Sequence, residues 1–185
     1  MASSEVIEKR VGFGPRFGAY VIDVIILNIL SRILGAVTEG ILSTVATSVE
    51  GFVATIIGAA GALFLLGVLY WGMEAITGFT VGKLVLKLKI AREDGQPGDI
   101  NLWLKRFALK NIATLLMFLT IIGSLIAPII GLIFAILAII GGLVIFVGYF
   151  FVFSDSKQTL HDKWSGSAVF KKDDIGNIGS EEEMV

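Results

Sequence analysis

The residues able to do chemistry in this chain are few and stand in unusual places. Asp23 lies inside an apolar block running from Phe17 to Val37, which also contains Asn28 and Arg32. A carboxylate in hydrocarbon takes up a proton unless a cation or a set of donors holds its charge. Asp23 is therefore a candidate proton or cation site, the alternative being a buried polar clamp between helices. Arg16 precedes it by seven residues, two helical turns, so the two share a face with Tyr20 between them. Asp23 then sits ~10 Å deeper by helical rise. Helical side chains lean toward the N-terminus, so a direct Arg16–Asp23 contact would be strained. Asp23 is expected to meet another segment or a water-filled vestibule. Near the other end, Thr159-Leu160-His161-Asp162 places the only histidine beside a carboxylate. Histidine titrates near pH 6.5, which suits a proton relay, while a turn or capping role is the simpler reading. Arg16, Asp23, His161 and Asp162 are the candidate ion-handling residues. Arg32 is expected to snorkel or to pair with Glu39 or Glu50, and Asn28 to hydrogen-bond across helices.

The rest of the composition excludes much. Of 185 residues, 55% are hydrophobic and 17% charged, with mean hydropathy +0.86 and 22 glycines. A soluble domain carries about a quarter charged residues, so water is the wrong solvent for this chain. The formal charge of −1 lacks the basic excess of a nucleic-acid binder. Without cysteine, and with one histidine, no disulfide, thiolate or multi-histidine metal centre is available. No P-loop, nucleophile elbow or dinucleotide fingerprint occurs. No enzyme activity, cofactor or metal is expected.

A bilayer core of ~30 Å needs about 20 helical residues to cross. Gly51 to Met73 is free of charge, and Asn111 to Ser154 has no ionisable residue. The latter is twice the length of one span and must fold back, with Gly123, Ser124, Pro128 and Gly131 as the natural bend. Four helical spans are predicted, over residues 17–37, 51–73, 108–127 and 130–153, with a cytoplasmic loop over 74–107. The fold class is an all-α membrane bundle with a small strand and amphipathic-helix segment. Fourteen of the fifteen basic residues fall before the first span, between the second and third, or after the fourth. Positive residues collect on the cytoplasmic side, which places both termini there in a multi-pass protein of the cytoplasmic (inner) membrane. Ala54, Gly58 and Ala62 stand four apart in the second span, a spacing that lets helix backbones approach closely.

Within the loop, Leu84, Leu86, Leu88 and Ile90 alternate with Val85, Lys87, Lys89 and Ala91, the period of a half-buried strand over 84–91. Residues 93–98 (EDGQPG) form a turn. Asp99 then caps a helix whose apolar residues Ile100, Trp103, Leu104 and Phe107 oppose Lys105, Arg106 and Lys110. Ser167 to Phe170 is a second strand that pairs with the first. Residues 1–16 form a cytoplasmic N-terminal segment, and 171–185, with three consecutive glutamates, a disordered acidic tail.

With these residues on the page, the chain resembles the RDD family of small membrane proteins, named for one arginine and two aspartates. The first motif is Gly14-Pro15-Arg16-Phe17-Gly18-Ala19-Tyr20-Val21-Ile22-Asp23, the second Thr80-Val81-Gly82-Lys83, and the third Gln158-Thr159-Leu160-His161-Asp162-Lys163. Arg16, Asp23 and Asp162 match the residues of the name. The resemblance implies small-solute or cation transport, with cation/proton antiport in some members. Four spans leave little room for an internal pathway, so the transport reading predicts a homo-oligomer in the lipid bilayer, handling a monovalent cation and protons. The competing reading is a non-transporting scaffold or accessory subunit in which the same residues form a polar clamp.

Overall fold

The structure is a computed structural model and describes residues 3–42 and 49–177. A short helix α1 (Ser4–Lys9) precedes the long helices α2 (Phe13–Leu42) and α3 (Val49–Thr77). Then come a short helix α4 (Val81–Val85), strand β1 (Leu88–Arg92), and helices α5 (Ile100–Lys110), α6 (Ile112–Ile126) and α7 (Pro128–Tyr149). A 3-10 turn over Phe150–Phe153 extends α7, and helix α8 (Leu160–Ser165) leads into strand β2 (Ser167–Lys171). Among the described residues, Phe13–Gly40, Ile57–Thr77 and Pro128–Phe153 are long and apolar enough to cross a membrane. A fourth crossing exists only if α5 and α6, bent by 67°, are taken together. The protein is thus an all-α membrane protein with one small strand pair.

Helices α2 and α3 overrun the apolar blocks, starting at Phe13 and ending at Thr77. The predicted loop over 38–50 shrinks accordingly, and its residues 43–48 lie outside the described part. So does the end of the acidic tail, residues 178–185.

The third predicted span, 108–127, is not one rod. Asn111 leaves helical geometry at φ −104°, ψ 20° and separates α5 from α6. The 15 residues of α6 rise ~22 Å, short of the ~30 Å hydrocarbon core. The bend falls where composition changes. Arg106 and Lys110 of α5 are held in ion pairs, whereas α6 carries no charge. The hairpin turn is where it was predicted. Ala127 is extended at φ −158°, and Pro128 occupies the first turn of α7, where its missing N–H is no loss. At Gly131 the two helices approach so closely that a Cβ would lie 1.9 Å from Ser124 Oγ.

The predicted strand over 84–91 is corrected to Leu88–Arg92. Thr80 caps the preceding residues into α4, its hydroxyl accepting from Lys83 N at 3.4 Å. That cap wins over the alternating pattern, and the chain changes direction at Lys87 with φ 54°. The pairing itself is as expected, antiparallel with Ile90 opposite Val169. Ile90, Val169 and Phe170 are fully buried, and Val6 and Val11 pack on them. The N-terminal segment is therefore docked on the sheet.

The small-residue spacing in α3 is not a seam within one chain. A Cβ at Gly58 would meet nothing within 4 Å, Ala62 is half-buried, and the side chain of Ala54 lies outside the described residues. α3 meets its neighbours through Tyr70 and Glu74, nearer its other end. Among the described residues Arg32 does not pair with Glu39 and Asn28 makes no bond across helices; the side chain of Glu50 lies outside the described residues. The two pair along α2, Arg32 Nε donating to Asn28 Oδ1 at 3.0 Å, because residues four apart face each other on a helix.

Candidate functional site

Asp23 meets another segment, as its depth required. Its Oδ1 accepts from Tyr70 Oη of α3 at 2.7 Å and from the backbone N–H of Gly82 at 2.6 Å. Its Oδ2 accepts from Thr80 Oγ1 at 2.6 Å. The local chain makes this possible in two steps. Gly78, at φ +76°, turns the backbone after α3 in a way that favours glycine. Gly82 then lies against α2, where any Cβ would stand 2.0 Å from the Ala19 carbonyl oxygen. Three elements thus converge on one carboxylate that is buried.

Arg16 does not contact Asp23. It reaches the other end of the chain, Nη1 donating to Asp162 Oδ2 at 2.5 Å, Nη2 to the Lys157 carbonyl and Nε to the Val11 carbonyl, both at 2.9 Å. Asp162 is held by the cap of α8: the Thr159 hydroxyl accepts from Asp162 N, and Asp162 Oδ2 accepts from Thr159 N. Its Oδ1 accepts from Arg106 Nε at 2.6 Å. Arg106 also donates through Nη1 to Glu74 Oε1. Glu74 Oε2 takes Lys83 Nζ at 2.9 Å and Lys110 Nζ at 3.1 Å. One buried network therefore joins α2, α3, α4, α5 and α8.

Gln158 of the third motif is a spacer in this arrangement. Arg10 donates to its Oε1 at 2.9 Å, and its Nε2 donates to the Ser167 carbonyl at 2.8 Å. Leu160 fills the space left by Gly148 of α7, where a Cβ would stand 2.6 Å from the Leu160 Cβ. Thr80, Gly82 and Lys83 of the second motif all touch Asp23 or Glu74.

Glu74, Arg106, Lys110 and Tyr70 escaped the sequence reading. Glu74 directly follows the charge-free block that ends at Met73, and helical spacing shows only that Arg106 and Lys110 oppose the apolar face of their helix. A signal was available: a carboxylate in the closing turns of a helix opposes the helix dipole, so Glu74 needed cations. Arg106 and Lys110, four residues apart on α5, share a face.

His161 lies between these groups. Arg106 Nη2 donates to its Nε2 at 3.3 Å, and the Thr159 hydroxyl lies 3.0 Å from the same nitrogen. Because arginine can only donate, Nε2 is the acceptor and Nδ1 carries the proton. Burial, reinforced by the Arg106 charge, lowers its pKa from 6.5 to about 3. Burial likewise lowers Lys83 to about 7 against the opposing pull of Glu74. For Asp162 burial alone would raise the value, but Arg106 and Arg16 outweigh it and hold the carboxyl well below its usual range.

These directions fix a sign. Unfolded His161 takes up a proton as pH falls through 6.5, whereas folded His161 waits until about 3. The unfolded chain also keeps the Lys83 proton above pH 7 and protonates Asp162 first, so it binds more protons throughout. Stability is expected to fall on acidification from pH 7 to pH 4. Thermal melting in detergent across this range checks it, and His161→Gln should flatten the slope below pH 6.5.

A cavity of about 660 Å³ opens against this network, with Asp23, Glu74, Arg16, Lys110 and His161 in its lining. Its walls are the aromatic residues of α2 and of the end of α7. Among comparisons with known proteins, the model of the RDD family matches residues 10–166. No curated protein and no solved structure matches the chain.

Proposed function

The chain belongs to the RDD family of membrane proteins, and on that premise we propose that it exchanges a monovalent cation for a proton across the cytoplasmic membrane, with Asp23 as the exchanging group. The observation that carries this reading is the convergence of Tyr70 Oη and Thr80 Oγ1 on both oxygens of a carboxylate lining a cavity. Hydroxyls both donate and accept. With Asp23 ionised and alone, they donate to it. With a cation present, the same oxygens rotate their lone pairs toward it, and oxygen ligands suit hard cations. With Asp23 protonated, its O–H donates to one hydroxyl and the cation has no place. Proton and cation compete for the same lone pairs, which is the requirement for exchange.

The transporter works as an oligomer in this reading, because three or four spans leave little room for a pathway within one chain. Both termini and the ion network lie on the cytoplasmic side, where the basic residues cluster. A second reading follows from the third donor on Asp23. The Gly82 N–H bond at 2.6 Å ties α2 to the start of α4, as a clamp in a non-transporting scaffold would.

Proteoliposomes carrying a luminal pH dye and challenged with sodium, lithium or potassium gradients separate the two. Transport predicts cation-dependent proton flux that falls at least about tenfold in Asp23→Asn while the melting temperature is kept. The clamp predicts no flux above empty liposomes and a large loss of stability in the same variant. Tyr70→Phe, which removes one oxygen and leaves the charge, should shift cation preference only if Asp23 is the exchange site.

A further inference from the structure

The cavity lining holds polar groups that the exchange reaction does not use. Arg16 and Lys110 line it with donors to spare: Lys110 Nζ spends one N–H on Glu74, and Arg16 keeps one N–H free on each terminal nitrogen. Their side chains are 12% and 19% exposed, against 5% for Arg106. His161, which lines the same cavity and is 1% exposed, has an Nδ1 with no hydrogen-bond partner among the described residues. Its Nε2 is an acceptor, so this orphan is an N–H donor. A buried donor left unpaired costs about 1–3 kcal/mol, which marks the place of an absent acceptor. Arg16, Lys110 and the His161 ring N–H are all donors, and two of them belong to cations.

The charge balance points the same way. Arg16, Lys83, Arg106 and Lys110 face Asp23, Glu74 and Asp162 in and behind the lining. With Lys83 protonated, one positive charge is left over, which one phosphodiester would cancel. The walls then decide between a soluble anion and an amphiphile. Phe13 and Phe153 touch at the inner end, ring centroids 4.7 Å apart. Beyond them α2 and α7 scarcely meet, so the gap opens sideways between Phe17 and Tyr20 on one side and Phe146 and Phe150 on the other. All four are exposed apolar or amphipathic rings, on helices long and apolar enough to cross a membrane.

We infer that the cleft between α2 and α7 holds an anionic phospholipid, its phosphate on Arg16, Lys110 and His161 Nδ1 and its chains between the aromatic walls. The phosphate oxygens accept what the three side chains donate, and charged hydrogen bonds of this kind are the strong ones. The phosphate contacts use none of the groups bonded to Asp23, so lipid binding and ion exchange can be tested separately.

Native mass spectrometry of the full chain from detergent tests it, with phosphatidylglycerol and phosphatidylcholine of matched chains as probes. Wild type should retain one phosphatidylglycerol per chain and prefer it over phosphatidylcholine by about tenfold or more. Lys110→Gln, in which Glu74 keeps Arg106 and Lys83, should abolish that preference, and Lys110→Arg should restore it. Lys105→Gln, which removes equal charge from outside the cavity, should leave it intact. A readout without mutation comes from the single histidine, whose Nδ1 resonance in ¹⁵N-labelled protein should move on adding phosphatidylglycerol. Equal retention of both lipids, an undiminished preference in Lys110→Gln, an unmoved histidine signal or displacement of the lipid by inorganic phosphate would each overturn the assignment.

Discussion

Replacing Arg106 with glutamine should cost about 3–5 kcal/mol of stability, the range for removing one partner from a buried ion network. The reason is the number of groups it serves. Arg106 donates to Glu74, Asp162 and the Nε2 of His161 from a nearly inaccessible position. Glutamine has the two donors of one amide and no charge, so it cannot span both carboxylates. Glu74 keeps two lysines and Asp162 keeps Arg16, yet α5 loses its tie to α8. Arg106→Lys should recover only part of the loss, since an ammonium lacks the planar fork that reaches both acids. Thermal melting in detergent measures the effect, and a drop of less than a few degrees for Arg106→Gln would show that the network does not hold α5 in place.

Gly82→Ala should be among the most damaging single-methyl additions at the described glycines. Its Cβ would stand 2.0 Å from the Ala19 carbonyl oxygen and 2.9 Å from the Asp23 carboxyl carbon. The first neighbour is backbone of α2, which cannot rotate away as a side chain does. Either α4 lifts from α2 or the Asp23 bonds to Gly82 N and Thr80 Oγ1 break. Overpacking in a tight site costs about 1–3 kcal/mol, and a lost hydrogen bond to a charged group adds about 1.5–3. Gly58→Ala is the fitting control, since that position faces open space. Equal melting temperatures for the two variants would refute the close approach of α4 to α2.

Much of this was legible because apolar length and charge placement are direct readouts of a membrane environment. The hairpin at Pro128, the Asp99 cap and the pairing of residues 88–92 with 167–171 rest on local signals that no tertiary contact overrides. The strand over 84–91 was drawn too long because a side-chain cap at Thr80 outcompeted alternation, a contest that pattern alone does not decide. The third span was drawn straight because hydropathy is blind to the pairing of Arg106 and Lys110 with Glu74. The site divides in the same way. Asp23, Arg16 and Asp162 stood out by type and position, whereas Glu74 and Arg106 became recognisable only when distant segments met. Which acid belonged to which base was set by the path of the chain: Arg16 and Asp162 are 146 residues apart.

That separation governs how the protein must be made. Arg16, Glu74 and Arg106 leave the ribosome well before Asp162, and β1 has no partner strand until Ser167–Lys171 emerges. Through most of synthesis the nascent chain carries unmatched charges at the membrane surface and an unpaired strand edge. Completion is a closing event at the C-terminal end, when α8 delivers one aspartate to two waiting arginines. A chain cut short before Thr159 would keep Glu74 with Arg106, Lys83 and Lys110 but leave Arg16 without its carboxylate and β1 without its partner strand.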